Sequence, residues 1–180
     1  MEQNELLLRT AFACMSCDGD IATEEVDMIK QMSKEKNLFG DVEIDKVLDK
    51  LVDEINHKGK GFLKQYLVSL AEQTLTEDEE LKIADVAVQT IRADNVIQYS
   101  EIKFFKVLRS NLKIVSDETL LEKIEGIDEE FLAQDIHADY LQMFEDYFNT
   151  IELPCFKLND IHETNSTEGT GECLAPMRKV

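Results

Sequence analysis

Proline is missing from the first 153 residues of this chain; Pro154 and Pro176 are the two it has. The strongest helix breaker is therefore excluded from most of the sequence. Apolar residues there recur at spacings of three and four and never settle into the alternation of a half-buried strand. Ile44, Val47, Leu48, Leu51 and Ile55 draw one helix face, and Leu63, Tyr66, Leu67 and Leu70 draw another. These patterns predict helices over 3–17, 23–38, 43–57, 61–74, 77–93, 100–112, 116–125 and 128–149. Thr23 is a candidate N-cap, Gly40 suits the end of the second helix, and Gly59-Lys60-Gly61 separates the third from the fourth. Thr76 and Glu79 have the spacing of a capping box.

A short acidic pattern then occurs twice. Asp18-Gly19-Asp20-Ile21 followed by Glu25-Val26 is echoed by Asp94-Asn95-Val96-Ile97 followed by Glu101-Ile102, with both carboxylates displaced by 76 positions. In the same register Ala11 matches Ala87, Met15 matches Ile91, Met28 matches Phe104 and Lys30 matches Lys106. A helix–turn–helix that recurs while keeping its carboxylates suggests two related halves sharing one acidic site.

The spacing invites an EF-hand reading, with Gly19 at position six and Glu25 at position twelve. Positions one and three would then be Cys14 and Ser16, and in the second copy Thr90 and Arg92. Calcium needs oxygen ligands there and a guanidinium repels it, so a complete calcium loop is excluded. What remains in each copy is an Asp after one helix and a Glu in the first turn of the next. Face-to-face packing of the copies would bring Asp18, Glu25, Asp94 and Glu101 into a four-carboxylate cage completed by water. The simpler reading is that these groups cap helices and mark turns.

The pattern Ala11…Met15-Ser16-Cys17-Asp18-Gly19-Asp20-Ile21…Glu24-Glu25…Ile29, with its second copy Ile83-Ala84…Ala93-Asp94-Asn95-Val96-Ile97…Glu101, resembles the TerB tellurite-resistance family. The N-terminal domain of DjlA-type membrane co-chaperones belongs to the same superfamily. The similarity covers roughly 5–112. It implies an all-helical fold with an internal repeat, and an acidic site at Asp18, Glu25, Asp94 and Glu101 proposed to bind metal. Gly19 would permit the first turn, and Asn95 replaces that glycine in the second. Ile21 and Ile97 would anchor the turns, and Asp20 is an outer-shell candidate.

Composition narrows the partners. A formal net charge of −19 leaves no basic patch to neutralise phosphates, which argues against nucleic acid and against acidic lipid surfaces. Cations and basic protein surfaces are the natural counterparts. No apolar run reaches the length of a membrane span, and the N-terminus lacks a basic start and cleavage site. A cytoplasmic chain with reduced cysteines is expected. Cys14-Met15-Ser16-Cys17 lacks the further ligands zinc needs and reads as core. His57, His137 and His162 sit in no nucleophile–base arrangement, so no catalytic residue is assigned and the protein is expected to be no enzyme. The aromatic series Phe131, Leu132, Ile136, Tyr140, Phe144, Tyr147 and Phe148 reads as a last helix covering the core, with a docking surface for another chain as the alternative.

The expectation is therefore an all-α helical bundle of about seven or eight helices in two related helix–turn–helix halves. Residues 1–126 would form the TerB-like domain, 127–158 a helical extension and 159–180 a disordered tail. The cofactor would be a divalent cation, calcium, magnesium or manganese ahead of zinc, in a module acting in metal, tellurite or envelope stress. The alternative is a metal-free adaptor whose acidic surface engages a protein partner, including a subunit of a membrane-associated complex, without inserting into the membrane.

Overall fold

The computed structural model describes residues 2–133 and 139–157. Among them the chain is all-helical: α1 Gln3–Met15, α2 Thr23–Lys36, α3 Ile44–Lys58, α4 Lys60–Ala71, α5 Glu77–Ile91, α6 Tyr99–Arg109, α7 Asp117–Lys123, α8 Glu129–Leu132 and α9 Tyr140–Thr150. The expected tail, 159–180, lies outside the described residues, as do Ile136, His137 and His162. No helix of the described residues is long and apolar enough to cross a membrane.

The central element is α1. Leu6, Leu7, Leu8, Ala11, Phe12, Ala13, Cys14 and Met15 are all buried, so this helix is apolar around most of its circumference. Such a helix has to be surrounded, and α1 touches α2, α3, α4, α5 and α6. Its most extensive contact is with α5, where the fully buried Ala84 and Ala87 are also small enough for a close approach. The helix–turn–helix units α1–α2 and α5–α6 thus interlock, with α2 against α5 and α6 against α1. An aromatic column fills the remaining core: Phe12 meets Phe62 edge-on at 5.5 Å, and Phe104 lies between Tyr66 and Tyr147.

Most expected boundaries hold to within a few residues, and the exceptions have local causes. Ala22, not Thr23, is the N-cap of α2. That helix ends at Asn37 in the left-handed conformation, before Gly40 is reached. Gly59 alone ends α3 and begins α4. The Thr76–Glu79 capping box forms as expected. The helix anticipated over 128–149 is interrupted: Ala133 leaves helical geometry, and Asp139 starts α9 by accepting the Gln142 N–H. Phe131, Tyr147 and Phe148 are buried, and both α8 and α9 pack on α6, so the C-terminal helices close the core. Cys14 and Cys17 are free, buried core thiols, whereas Cys155 is disulfide-bonded, against the expectation of reduced cysteines throughout.

Glu80 is buried in the first turn of α5, where its carboxylate accepts the backbone N–H groups of Lys113, Ile114 and Val115 at 2.7, 2.7 and 2.8 Å. It pins the α6–α7 loop onto the bundle. Glu80→Ala should cost about 3 kcal/mol or more, because three buried or half-buried donors lose a charged acceptor. Urea unfolding measures this, and an unchanged midpoint would mean that water serves those donors equally well.

Candidate functional site

Each acidic turn follows from the same local chemistry. After α1 the chain leaves the helix through Ser16 and Cys17, and Asp18 Oδ1 accepts the N–H of Asp20 at 2.9 Å. After α5 it leaves through Arg92 and Ala93, and Asp94 Oδ1 accepts the N–H of Val96 at 2.8 Å. Both turns need one residue at positive φ, Gly19 at 94° and Asn95 at 61°. Asparagine is among the few side chains that tolerate this region. The next helix then begins with the same device: Glu25 Oε2 accepts the Ala22 N–H at 2.9 Å, and Glu101 Oε2 accepts the Gln98 N–H at 2.5 Å. The simpler roles are thus real: Asp18 and Asp94 close their turns, and Glu25 and Glu101 serve the caps of α2 and α6.

That role does not exhaust them. Glu25 and Glu101 are both buried, and Asp18 and Asp94 are half-buried. Burial first, and then the charges of Glu101, Asp18 and Asp94, push the Glu25 carboxyl up to about 9, against the lowering effect of the Ala22 N–H. Burial likewise pushes Glu101 up to about 8, opposed by the Gln98 N–H and reinforced by Asp18 and Asp94. Asp18 is raised as well, by burial first and then by the charges of Asp20 and Asp94. The charges of Asp18 and Asp94, from two distant stretches of sequence, thus act on both glutamates. Beneath them lie the Cys14 and Cys17 thiols, held protonated by burial and by this negative field. As the side chains stand, among the described residues no three of His, Cys, Asp or Glu are drawn together tightly enough to hold a metal ion. One oxygen of each carboxylate accepts a backbone N–H of its own turn.

The two turns differ in their surroundings. Ile21 is buried, 7% exposed, and anchors the first turn as expected. Ile97 was expected to do the same and does not: it is 38% exposed, beside Val96 at 55% and Tyr99 at 67%. The first turn is also covered. Chain beyond α9 lies over the first turn, so that a Cβ on Gly19 would stand 2.9 Å from the Glu152 carbonyl and 3.4 Å from Pro154 Cδ. Tyr147 also reaches in from α9 and donates its hydroxyl to the Cys17 carbonyl at 2.6 Å. Asp20, the outer-shell candidate, is exposed; its carboxylate accepts the Ile21 N–H, and its charge acts on Asp18.

Comparison of the chain with family models, with curated proteins and with solved structures gives no match. The TerB resemblance accordingly rests on the doubled motif.

The raised carboxyls make stability depend on pH. A group whose folded pKa lies above its unfolded value stabilises the fold fully below the unfolded value, and that stability is lost as pH rises through the folded value. Glu25 and Glu101, ordinarily near 4.5, should therefore make the protein lose stability progressively between about pH 5 and pH 9. The melting temperature should fall by several degrees across this window, and the Glu25→Gln/Glu101→Gln double variant should flatten the fall. An equal slope in that variant would place the titration elsewhere. The covering segment gives a second expectation: Gly19→Asn should cost about 1–3 kcal/mol, whereas Asn95→Gly should cost less than that, as paired thermal melts would show.

Proposed function

We propose that this protein is a non-enzymatic, TerB-like module of two related helix–turn–helix halves that binds a hard divalent cation through Asp18, Glu25, Asp94 and Glu101. The observation that supports this reading is the burial of Glu25 and Glu101, with Asp18 and Asp94 half-buried, at two matching turns; burial first, and then the charges of Asp18 and Asp94, raise both glutamates. Such a cluster needs a positive counterpart, either protons or a cation. All four donors are oxygens, which suits calcium, magnesium or manganese better than zinc. Asp18 and Asp94 would each offer a carboxylate oxygen; Glu25 and Glu101 would do the same after losing their protons. Cation binding would then release protons and be stronger at higher pH. In a cell such a module would act in metal, tellurite or envelope stress.

Calorimetric titration of chelator-treated protein tests this. Calcium, magnesium or manganese should bind saturably in the micromolar range, raise the melting temperature through linkage, and release protons, read as a heat that varies with buffer ionisation. Asp18→Ala/Asp94→Ala should abolish binding with the helical circular-dichroism signal intact. Undiminished affinity in that variant would overturn the proposal.

One observation favours the second reading, a metal-free adaptor: the exposed apolar surface of Val96, Ile97 and Tyr99 lies beside the same acidic turn. Partner binding through the acidic surface would weaken steeply with ionic strength, which cation coordination at half-buried groups would do far less.

A further inference from the structure

The two acidic turns share their hydrogen bonds but not their exposure, and the difference lies in one segment. After α9 ends at Thr150, the chain runs without helix over 151–157, with Ile151 and Phe156 buried and Glu152 and Pro154 at the surface. At its far end Asn56 of α3 clamps it: the Asn56 amide donates to the Phe156 carbonyl at 2.7 Å, and the Phe156 N–H donates to the Asn56 carbonyl oxygen at 2.8 Å. This is the paired bonding of a strand partner, provided by one side chain. Between the clamp and α9 the segment crosses Gly19, whose missing side chain leaves room for the Glu152 carbonyl. The matching position in the second turn is Asn95, exposed and with a full side chain.

We infer that the segment 151–157 is a latch which holds the first acidic turn closed, opens as a unit while the bundle stays folded, and leaves the second turn permanently open. Resting on the cation reading above, this makes the site one-sided: an ion enters past Asp94 and Val96, and its retention depends on whether the latch over Asp18 and Gly19 is seated. The latch is fastened by Asn56 at one end and by Tyr147 bonding Cys17 at the other, with Ile151 and Phe156 buried within it and its Cys155 disulfide-bonded. Segments that lack helical hydrogen bonds of their own open at lower free energy than the helices beneath them. Asn56 and Tyr147 are positioning residues here; neither supplies a cation ligand.

Hydrogen exchange of the full chain, followed by mass spectrometry, tests the latch without any ligand. In the wild type, amides over 17–22 should exchange about tenfold or more slowly than those over 93–98. Asn56→Asp keeps the acceptor for Phe156 and the side-chain size but removes the donor. It should speed exchange over 17–22 and 150–157 together, leaving 93–98 and α5 unchanged. If Asn56→Asp loosens the whole bundle, Tyr147→Phe provides the same comparison from the other fastening. Equal exchange of the two turns in the wild type would overturn the latch, as would faster exchange confined to 150–157 in the variant. Calorimetry with calcium, magnesium and manganese adds the functional arm: the dissociation constant should differ at least threefold between the wild type and Asn56→Asp. Equal affinities would overturn control of the site by the latch. A wild type that binds none of the three ions would sink the cation reading, while the exchange comparison still decides whether the latch exists.

Discussion

The buried contact of α1 with α5 is the constraint on which everything else depends. Two helices with little polar surface between them have no stable arrangement in water except against each other and beneath their neighbours. Once they pack together, the chain must leave each of them at Asp18 and at Asp94, and α2 and α6 must start at Ala22 and Gln98. The positions of all four carboxylates are thus set by the core, and the energy that holds them together is apolar. Carboxylates would not gather without that force, since like charges at short range repel.

Each carboxylate also has a local reason to be where it is. An Asp after a helix end tightens the turn by accepting an N–H two residues on, and a Glu in the first turn satisfies an orphan N–H at the cap. These gains are modest for one hydrogen bond, and Ser or Thr could supply similar ones without added charge. The protein instead places acids at all four positions and lets Glu25 and Glu101 sink below the surface, where their protons are held more tightly. That is a departure from what turn chemistry alone requires. It motivates looking for a positive ligand rather than a better cap.

Much of the fold was legible from residue spacing. Leu48, Leu51 and Ile55 line the buried face of α3 as the pattern indicated, and Thr76 with Glu79 closes its box. The local hydrogen bonds of Asp18, Glu25, Asp94 and Glu101 were legible too, because the two copies keep one register. Three things were not. Ile97 shares its motif position with Ile21, and nothing in that shared position distinguishes the isoleucine that is buried from the one that is exposed. The break before α9 arises at Ala133 and Asp139, neither of which disrupts the apolar periodicity. Glu80 is hidden in the run Glu77-Asp78-Glu79-Glu80, where nothing distinguishes the one acid that turns inward.

The inequality of the turns changes how the charge should be understood. In a chain of net charge −19, most carboxylates face water and are screened. At the first turn, Gly19 lies against the Glu152 carbonyl and Pro154, and the Tyr147 hydroxyl bonds the Cys17 carbonyl next to Asp18, so less solvent reaches the turn. At the second turn, Asp94 has the same hydrogen bond beside exposed Val96 and Tyr99. Replacing Gly19 by a residue with a side chain would push against this cover. The single glycine in the doubled motif therefore marks the side of the cluster that is closed, and the asparagine marks the side that is open.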